Sequence, residues 1–189
     1  MRSERVSRGL YSAAPDFSTL VGVRGRRLHH VPDERGSLST IYQAGREGMP
    51  ALRQWNVVHS RARALRGIHA HGAYDEYYVP LAGRMFFLLK DARASSPSFR
   101  AELSFWSDQV SDTAIEVPKG VAHGVYFETD AILAYGLSSV WTDQQEFGCR
   151  WDDGEIATPW PATPDLLSER DQAAGTFASM VREIARHLS

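Results

Sequence analysis

Histidines in two short segments are the side chains whose type and spacing best suit chemistry. His69 and His71 are separated by one residue, and Gly67 just before them permits a tight backbone turn. His123 follows about fifty residues later, directly before Gly124. Imidazoles gathered in one pocket can shuttle protons near neutral pH or bind a metal. The choice between these two uses decides which reaction the chain can carry out.

Both segments lie in a part of the chain whose residue pattern predicts β-structure. Short runs rich in aromatic and β-branched residues, separated by turn residues at fairly regular spacing, predict strands of an all-β sandwich or barrel. The clearest runs are residues 54–58, 76–81, 84–89, 101–106, 114–117 and 131–135. Opposing strands of such a fold can bring the two histidine segments together.

The C-terminal part has a different pattern. Apolar residues fall on one helical face near the end of the chain and predict an amphipathic helix; they are Phe177, Met180, Val181, Ile184 and Leu188. Before this helix, the Pro- and Trp-rich residues 151–164 predict an ordered extended tail. The domain organisation expected is one domain, with an N-terminal arm (1–27), a β-core (28–145) and a tail with the helix (146–189).

Composition excludes several function classes. A chain of 189 residues suits one domain, and a net charge of −2 gives no field that would attract nucleic acid or a membrane surface. No apolar run approaches the ~20 residues of a spanning helix, and the N-terminus has no apolar stretch typical of a secretory signal. Cys149 is the only cysteine, so a reducing cytoplasm is the expected location.

A metal site is one interpretation of the histidines. His69, His71 and Glu76 fit the first metal motif of the cupins, and His123 with the preceding Pro118 and Gly120 fits most of the second. Residues two apart in a strand share a face, so both imidazoles of the first motif can reach one ion. Three histidines and one glutamate suit Fe, Mn, Ni or Zn.

A second interpretation uses motifs along the whole chain. They are DERG (33–36), LRGIH (65–69), DAR (91–93), SPSF (96–99), PKGVAHG (118–124), Tyr135, RWDD (150–153), WP (160–161) and LSERD (167–171). On these motifs, residues 20–171 resemble the nucleotide-sugar epimerases typified by dTDP-4-dehydrorhamnose 3,5-epimerase. The resemblance implies a cupin-like jelly roll (double-stranded β-helix) with a C-terminal helix that works without a metal or other cofactor. Because several motifs lie outside the pocket, we favour this interpretation over a generic metal cupin.

The resemblance also implies a reaction and a catalytic set. The resemblance implies a nucleotide-linked 4-keto-6-deoxyhexose as substrate, with dTDP as the expected nucleotide and deoxysugar biosynthesis as the expected pathway. In such a sugar, the C4 ketone acidifies the protons at C3 and C5. By resemblance, His69 is the base, Asp171 is the carboxylate that orients it, and Tyr135 returns the proton from the opposite face. A positioned imidazole and a hydrogen-bonded phenol are suited to these roles.

Substrate-binding residues follow from the same resemblance. Arg35 and Arg66 occupy the positions that chelate the pyrophosphate, with Arg170 as a third cation. His123 is expected near the enolate oxygen. Asn56 replaces a family glutamine, and Trp141 offers an aromatic face. A homodimer is expected, with the N-terminal segment extending into the partner.

Two departures from the family keep the stereochemistry open. Glu76 stands where the family has a lysine, which reverses the charge near the enolate, and His71 stands where many epimerases have no histidine. Inversion at C3, C5 or both therefore stays open. The alternatives are a metal-dependent cupin enzyme using His69, His71, Glu76 and His123, a sugar-nucleotide 3,4-ketoisomerase, and a non-catalytic sugar-binding cupin.

Overall fold

The structure is a computed structural model that describes residues 14–108, 112–142 and 145–188. Its elements in chain order are a 3-10 turn (Phe17–Thr19), β1 (Arg24–Arg27), β2 (His30–Asp33), β3 (Gly36–Ser39), β4 (Gln54–Ser60), β5 (Leu65–His71), β6 (Glu76–Ala82), β7 (Arg84–Asp91), β8 (Glu102–Asp108), β9 (Thr113–Val117), β10 (Val121–Phe127), β11 (Ala131–Leu137), β12 (Glu146–Gly148), α1 (Glu169–Gln172) and α2 (Phe177–Leu188).

Two five-stranded sheets make up the body of the molecule. One has the strand order β1-β9-β6-β11-β4 and the other β12-β5-β10-β7-β8, while β2 and β3 form a separate hairpin. The ladders between these strands are antiparallel. The expected all-β jelly roll with a C-terminal helix is confirmed, and the six strands predicted from the sequence are all present within one or two residues of the expected ends.

Strand β7 shows how the sequence builds the layers. Its alternate residues Met85, Phe87 and Leu89 point into the core between the sheets. The intervening Phe86 and Leu88 point outward and pack under α2. Because successive side chains in a strand face opposite sides, a strand covered on both sides must be apolar throughout. The continuous apolar run of β7 follows from this position.

Helix α2 covers the outer face of the sheet that carries the histidines. Phe177, Met180 and Ile184 are fully buried there, as the helical periodicity predicted. The expected tail runs over the same face, where Trp160 packs edge-on against Phe86 and its Nε1 donates a hydrogen bond to the Trp151 carbonyl. No helix within the described ranges combines the length and apolar character needed to cross a membrane.

The N-terminal boundary differs from the expected one. Residues 1–13 of the predicted arm (1–27) lie outside the described residues, but the rest of it joins the core. Leu20 and Val23 are buried between the sheets, and β1 (Arg24–Arg27) pairs with β9. The core therefore begins before residue 28, because these apolar side chains complete the layer between the sheets.

A buried carboxylate explains one of the motifs outside the pocket. Asp91 accepts hydrogen bonds from the backbone and guanidinium of Arg93 at 2.8 to 3.0 Å, and from the hydroxyls of Ser96 and Ser98, each at 2.6 Å. Burial alone would raise the pKa of Asp91, but these hydrogen bonds together lower it. The motif fastens the loop between β7 and β8.

A bulge in β5 sets the direction of side chains that face the cavity. Between the pairs His123↔His69 and Val125↔Arg66, two residues of β5 lie opposite one residue of β10. Arg66 and His69, three residues apart, therefore both line the cavity between the sheets. Gly67 lies in the bulge with φ +126°, and a Cβ there would come within 2.7 Å of the Gly124 Cα. The close approach of the two backbones thus requires glycine at position 67.

Candidate active site

A cavity of about 160 Å³ opens between the two sheets. Its polar lining comes from β5, β10 and β12 of one sheet, from β6 and β11 of the other, where Tyr135 lies, and from Arg170 of α1. Arg66, His69 and Arg170 also line a wider depression of about 480 Å³ that adjoins the cavity and reaches the surface of α1. The sandwich thus provides an inner chamber with an open outer part.

His69 and Asp171 form a hydrogen-bonded pair at one wall. Asp171 Oδ1 accepts from His69 Nε2 at 2.6 Å. Ser168 caps the start of α1, and its Oγ accepts a hydrogen bond from the Asp171 backbone at 3.1 Å, which fixes the position of the carboxylate. Burial alone would raise the pKa of Asp171, but the hydrogen bond and charge of His69 lower it. Asp171 is therefore an ionised partner that holds Nε2–H and leaves the Nδ1 lone pair as the basic atom.

Glu146 is a second carboxylate at His69 that the sequence did not single out. Its Oε1 lies 3.5 Å from His69 Nδ1 and 2.6 Å from Nη1 of Arg170. Arg170 Nη2 also lies 2.7 Å from His69 Nε2, and its Nε lies 3.4 Å from Asp171 Oδ1. Because a guanidinium only donates, Arg170 hydrogen-bonds to Nε2 only when that atom carries no proton, so it competes with Asp171 for Nε2. His69 thus lies between the carboxylates of Glu146 and Asp171, and the Arg170 guanidinium contacts both. Arg170, which the resemblance placed in the substrate site, lines the cavity.

Tyr135 faces the same cavity from the other sheet. It is paired in register with Asn56 on β4 and is hydrogen-bonded to the Asn56 side chain. Burial, then the charges of Glu76 and Glu146, raise the pKa of Tyr135. The phenol therefore keeps its proton and can donate it. The structure brings the predicted base and acid to opposing sheets, with Asn56 beside the acid.

Below the base lies a buried polar cluster. His71 Nε2 is 3.5 Å from Glu76 Oε1, and His123 Nε2 is 3.2 Å from Glu76 Oε2. Tyr74 Oη lies 2.8 Å from His71 Nδ1, and Tyr78 is hydrogen-bonded to Glu76. Tyr74 and Tyr78 were not expected from the sequence. Only the packing of β5, β6 and β10 brings them to the histidines.

Burial dominates the protonation of this cluster. It raises the pKa of Glu76 to about 8 and lowers the pKa of His71 to about 3, with the charges of His69 and Arg170 adding to the second effect. Burial, then the neighbouring His71 and His69, holds the pKa of His123 well below its ordinary value. Burial therefore favours the uncharged form of all three groups.

The remaining predicted ligands lie at different places. Arg66 lines the cavity with an exposed side chain. Trp141 lines it as well, and its Nε1 donates to Glu146 Oε2 at 3.0 Å. Arg35 is not at the cavity of its own chain. It follows β2 in the hairpin turn, where its side chain is 84% exposed and pairs with Asp33 at 2.6 Å.

Comparison with known proteins shows which family the chain resembles. The family model described as dTDP-4-dehydrorhamnose 3,5-epimerase matches residues 18–179. An enzyme of that name from Sinorhizobium fredii is 30% identical over 100 residues, which are 52% of this chain, and the chain spans about half (51%) of that relative's length.

Solved structures match over more of the chain. NovW, a 4-keto-6-deoxy sugar epimerase from Streptomyces spheroides, superposes with a TM-score of 0.79 at 29% identity and 88% coverage of both chains. ChmJ, a 3'-monoepimerase from Streptomyces bikiniensis solved with dTDP-quinovose, gives 0.79 at 27% identity, covering 88% of this chain and 89% of ChmJ. The match of the family model over most of the chain shows that this protein belongs to the dTDP-4-dehydrorhamnose 3,5-epimerase family.

Proposed function

We propose that this chain epimerises a dTDP-linked 4-keto-6-deoxyhexose at C3, C5 or both, in deoxysugar biosynthesis. The observation that carries the proposal is the placement of an oriented base and a protonated phenol on opposing sheets of one cavity. His69 with Asp171 lies on the side of β5, and Tyr135 lies on β11. A planar enolate held between them has one face toward each group.

The reaction follows from these positions. Nδ1 of His69 takes the proton from a carbon next to the C4 carbonyl, and the bonding electrons pass to the carbonyl oxygen as an enolate. Asp171 stabilises the imidazolium that forms, in the same way that a carboxylate supports a catalytic histidine in other enzymes. The hydroxyl of Tyr135 then gives a proton to the opposite face of the carbon. The centre is inverted, and both groups return to their first state by exchange with solvent.

Charge at the outer part of the cavity supports a nucleotide diphosphate. Arg66 and Arg170 lie where the cavity meets the wider depression. Guanidinium groups bind phosphate oxygens through paired, charge-assisted hydrogen bonds. The depression has room for the nucleotide while the sugar enters the inner chamber. ChmJ, which binds dTDP-quinovose, supports dTDP as the nucleotide.

A homodimer accounts for the position of Arg35. Apolar side chains are exposed on the hairpin and on the outer face of β4: Val31 (52%), Leu38 (73%), Trp55 (39%) and Val57 (57%). A second copy packed on this surface buries them and brings the hairpin, with Arg35, to the partner's cavity. We place this dimer in the cytoplasm, in agreement with a single cysteine that is fully buried.

Complementation tests this arrangement. Arg35→Ala and His69→Ala homodimers are both expected to lose activity, while a mixture refolded together is expected to regain part of it. Each mixed dimer has one cavity with its own His69 and the partner's intact Arg35. Absence of recovery in dimers shown to be mixed by native mass spectrometry would contradict delivery of Arg35 between subunits.

The activity itself is tested with dTDP-4-keto-6-deoxyglucose in deuterated water. The enzyme is expected to introduce solvent deuterium at C3, C5 or both, as read by NMR and mass spectrometry of the product. His69→Asn is expected to abolish exchange, and His187→Asn, on the exposed side of α2 and outside the cavity and the depression, is expected to retain it. Full exchange in His69→Asn would refute the assignment of the base. A carbonyl found at C3 instead of C4 would identify a 3,4-ketoisomerase.

A further inference from the structure

We propose that His71, Glu76 and His123 form a binding site for one divalent transition-metal ion. One ligand atom from each side chain lies within 4.8 Å of the others, and all three residues are buried. They come from β5, β6 and β10 and line the cavity between the sheets. The binding of the ion does not depend on the proposed epimerase activity, whereas its use in catalysis does.

The distances suit an ion better than direct hydrogen bonds. His71 Nε2 and Glu76 Oε1 are 3.5 Å apart, and His123 Nε2 and Glu76 Oε2 are 3.2 Å apart. Hydrogen bonds between nitrogen and oxygen are usually about 2.7 to 3.2 Å long. Metal bonds of about 2.1 Å at tetrahedral or octahedral angles place two ligand atoms about 3.0 to 3.4 Å apart. The two nitrogen–oxygen spacings are close to those of a coordination shell, and all three ligand atoms lie within 4.8 Å of one another.

The far side of each imidazole supports the same assignment. Tyr74 Oη lies 2.8 Å from His71 Nδ1, and the Val121 carbonyl lies 3.4 Å from His123 Nδ1. With Nδ1–H directed to an oxygen, the lone pair of each ring is on Nε2, the atom that faces Glu76. Histidine ligands of metals are usually oriented by such an outer hydrogen bond.

The site has three ligands and differs from the four-residue set that the sequence suggested. His69 is held by Asp171 at 2.6 Å and is approached by the Arg170 guanidinium at 2.7 Å, so a cation beside its Nε2 would meet positive charge. Two imidazoles and one carboxylate without a thiolate suit Fe, Mn, Co, Ni or Zn. When bound, such an ion supplies a Lewis acid that stabilises negative charge on a nearby oxygen.

This assignment also gives Glu76 a role. If Glu76 were ionised with no ion beside it, its charge at the floor of the cavity would oppose the negative charge of an enolate. As a metal ligand, its charge is more than offset by the ion. Glu76, whose charge is unfavourable for the reaction when the sequence is considered alone, then helps to hold the ion that gives the site a positive charge.

Cobalt binding tests the proposal without measuring catalysis. Chelator-treated protein, with any affinity tag removed, is titrated with Co²⁺ by calorimetry and by the visible absorption of the bound ion. The wild type is expected to bind one Co²⁺ per chain and to melt at a higher temperature when loaded. Glu76→Gln and His71→Ala are expected to lose this binding, and their unloaded melting curves establish that they fold.

Three further variants separate the site from its surroundings. Tyr74→Phe removes the outer hydrogen bond and is expected to weaken Co²⁺ binding by about 10- to 100-fold. His69→Asn and the surface variant His59→Asn are expected to bind Co²⁺ as the wild type does. Unchanged binding in Glu76→Gln, loss of binding in His59→Asn, or no uptake by the wild type would each overturn the site.

The outcomes distinguish this inference from the proposed function. Protein that binds no Co²⁺ and still exchanges deuterium at the sugar would refute the metal site and leave the epimerase. Protein that binds Co²⁺ at these residues but catalyses no exchange on the dTDP sugar would retain the site and refute the proposed function.

Discussion

Replacing Asp171 by asparagine tests how the base is supported. The change keeps the size of the side chain but removes the charge that stabilises the imidazolium and the acceptor that fixes the Nε2–H tautomer. Asp171 Oδ1 is 2.6 Å from His69 Nε2 and the residue is buried. Two unit charges about 4 Å apart interact by about 4 kcal/mol at an effective dielectric constant of about 20. At about 1.4 kcal/mol per tenfold change in rate, this is about three orders of magnitude.

Neighbouring charges adjust that magnitude. Glu146 still lies 3.5 Å from the other ring nitrogen and continues to favour the imidazolium, so part of the stabilisation remains. We therefore expect Asp171→Asn to lower kcat by about 10²- to 10³-fold, within the range of general acid–base groups. KM should change little, because Asp171 touches the base and not the sugar.

Deuterium wash-in at C3 and C5, measured by NMR under substrate saturation, gives the rate. Asp165→Asn is the matched control, since this exposed carboxylate precedes α1 by a few residues and pairs with Arg63 away from His69. The reasoning fails if Asp171→Asn keeps more than half the wild-type kcat, or if its loss appears in KM alone.

Three other changes have definite expected outcomes. Tyr135→Phe removes the proton donor and leaves the base, so exchange with retention should persist while inversion fails; equal loss of both, measured by NMR of the product, would contradict separate base and acid. Arg66→Ala should raise KM about 10- to 100-fold, from a charged hydrogen bond of about 1.5 to 3 kcal/mol, with little effect on the melting temperature; an unchanged KM would remove Arg66 from diphosphate binding. Asp91 has a lowered pKa in the folded state, so its stabilisation is present above the unfolded pKa of about 3.9 and is lost as the pH falls below it. Asp91→Asn should therefore lower the free energy of unfolding by about 1 to 3 kcal/mol at pH 7, and denaturation curves that differ from the wild type equally at pH 3 and pH 7 would contradict this origin.

The sequence predicted the strands well because their apolar patterns are local. The apolar run of β7 predicts a strand that is buried on both sides, and the apolar face of α2 predicts a helix that is buried on one side. The structure places both elements in this way. The pairing of His69 with Asp171 came from resemblance in two distant motifs, and the structure brings the two side chains into contact.

Other features depend on contacts that no local pattern encodes. Glu146 reaches His69 because β12 pairs with β5, with Gly148 opposite His69. The bulge at Gly67 depends on how closely β10 approaches. Arg35 lies outside the cavity of its own chain because it follows β2 in the hairpin turn, where it pairs with Asp33. Such placements follow from the three-dimensional pairing of elements and not from the residues around each position.

The separation of base and acid between two sheets has a consequence for stereochemical fidelity. His69 moves with β5, and Tyr135 moves with β11, so the apolar layer between the sheets sets the gap across which the proton returns. Phe87 and Leu133 belong to that layer. Proton removal needs only one wall, whereas inversion needs both walls at the right spacing. In the proposed reaction, the side-chain volume of this interior layer therefore controls how often an abstracted proton returns to the face it left, and the core acts as the spacer between the proposed base and acid.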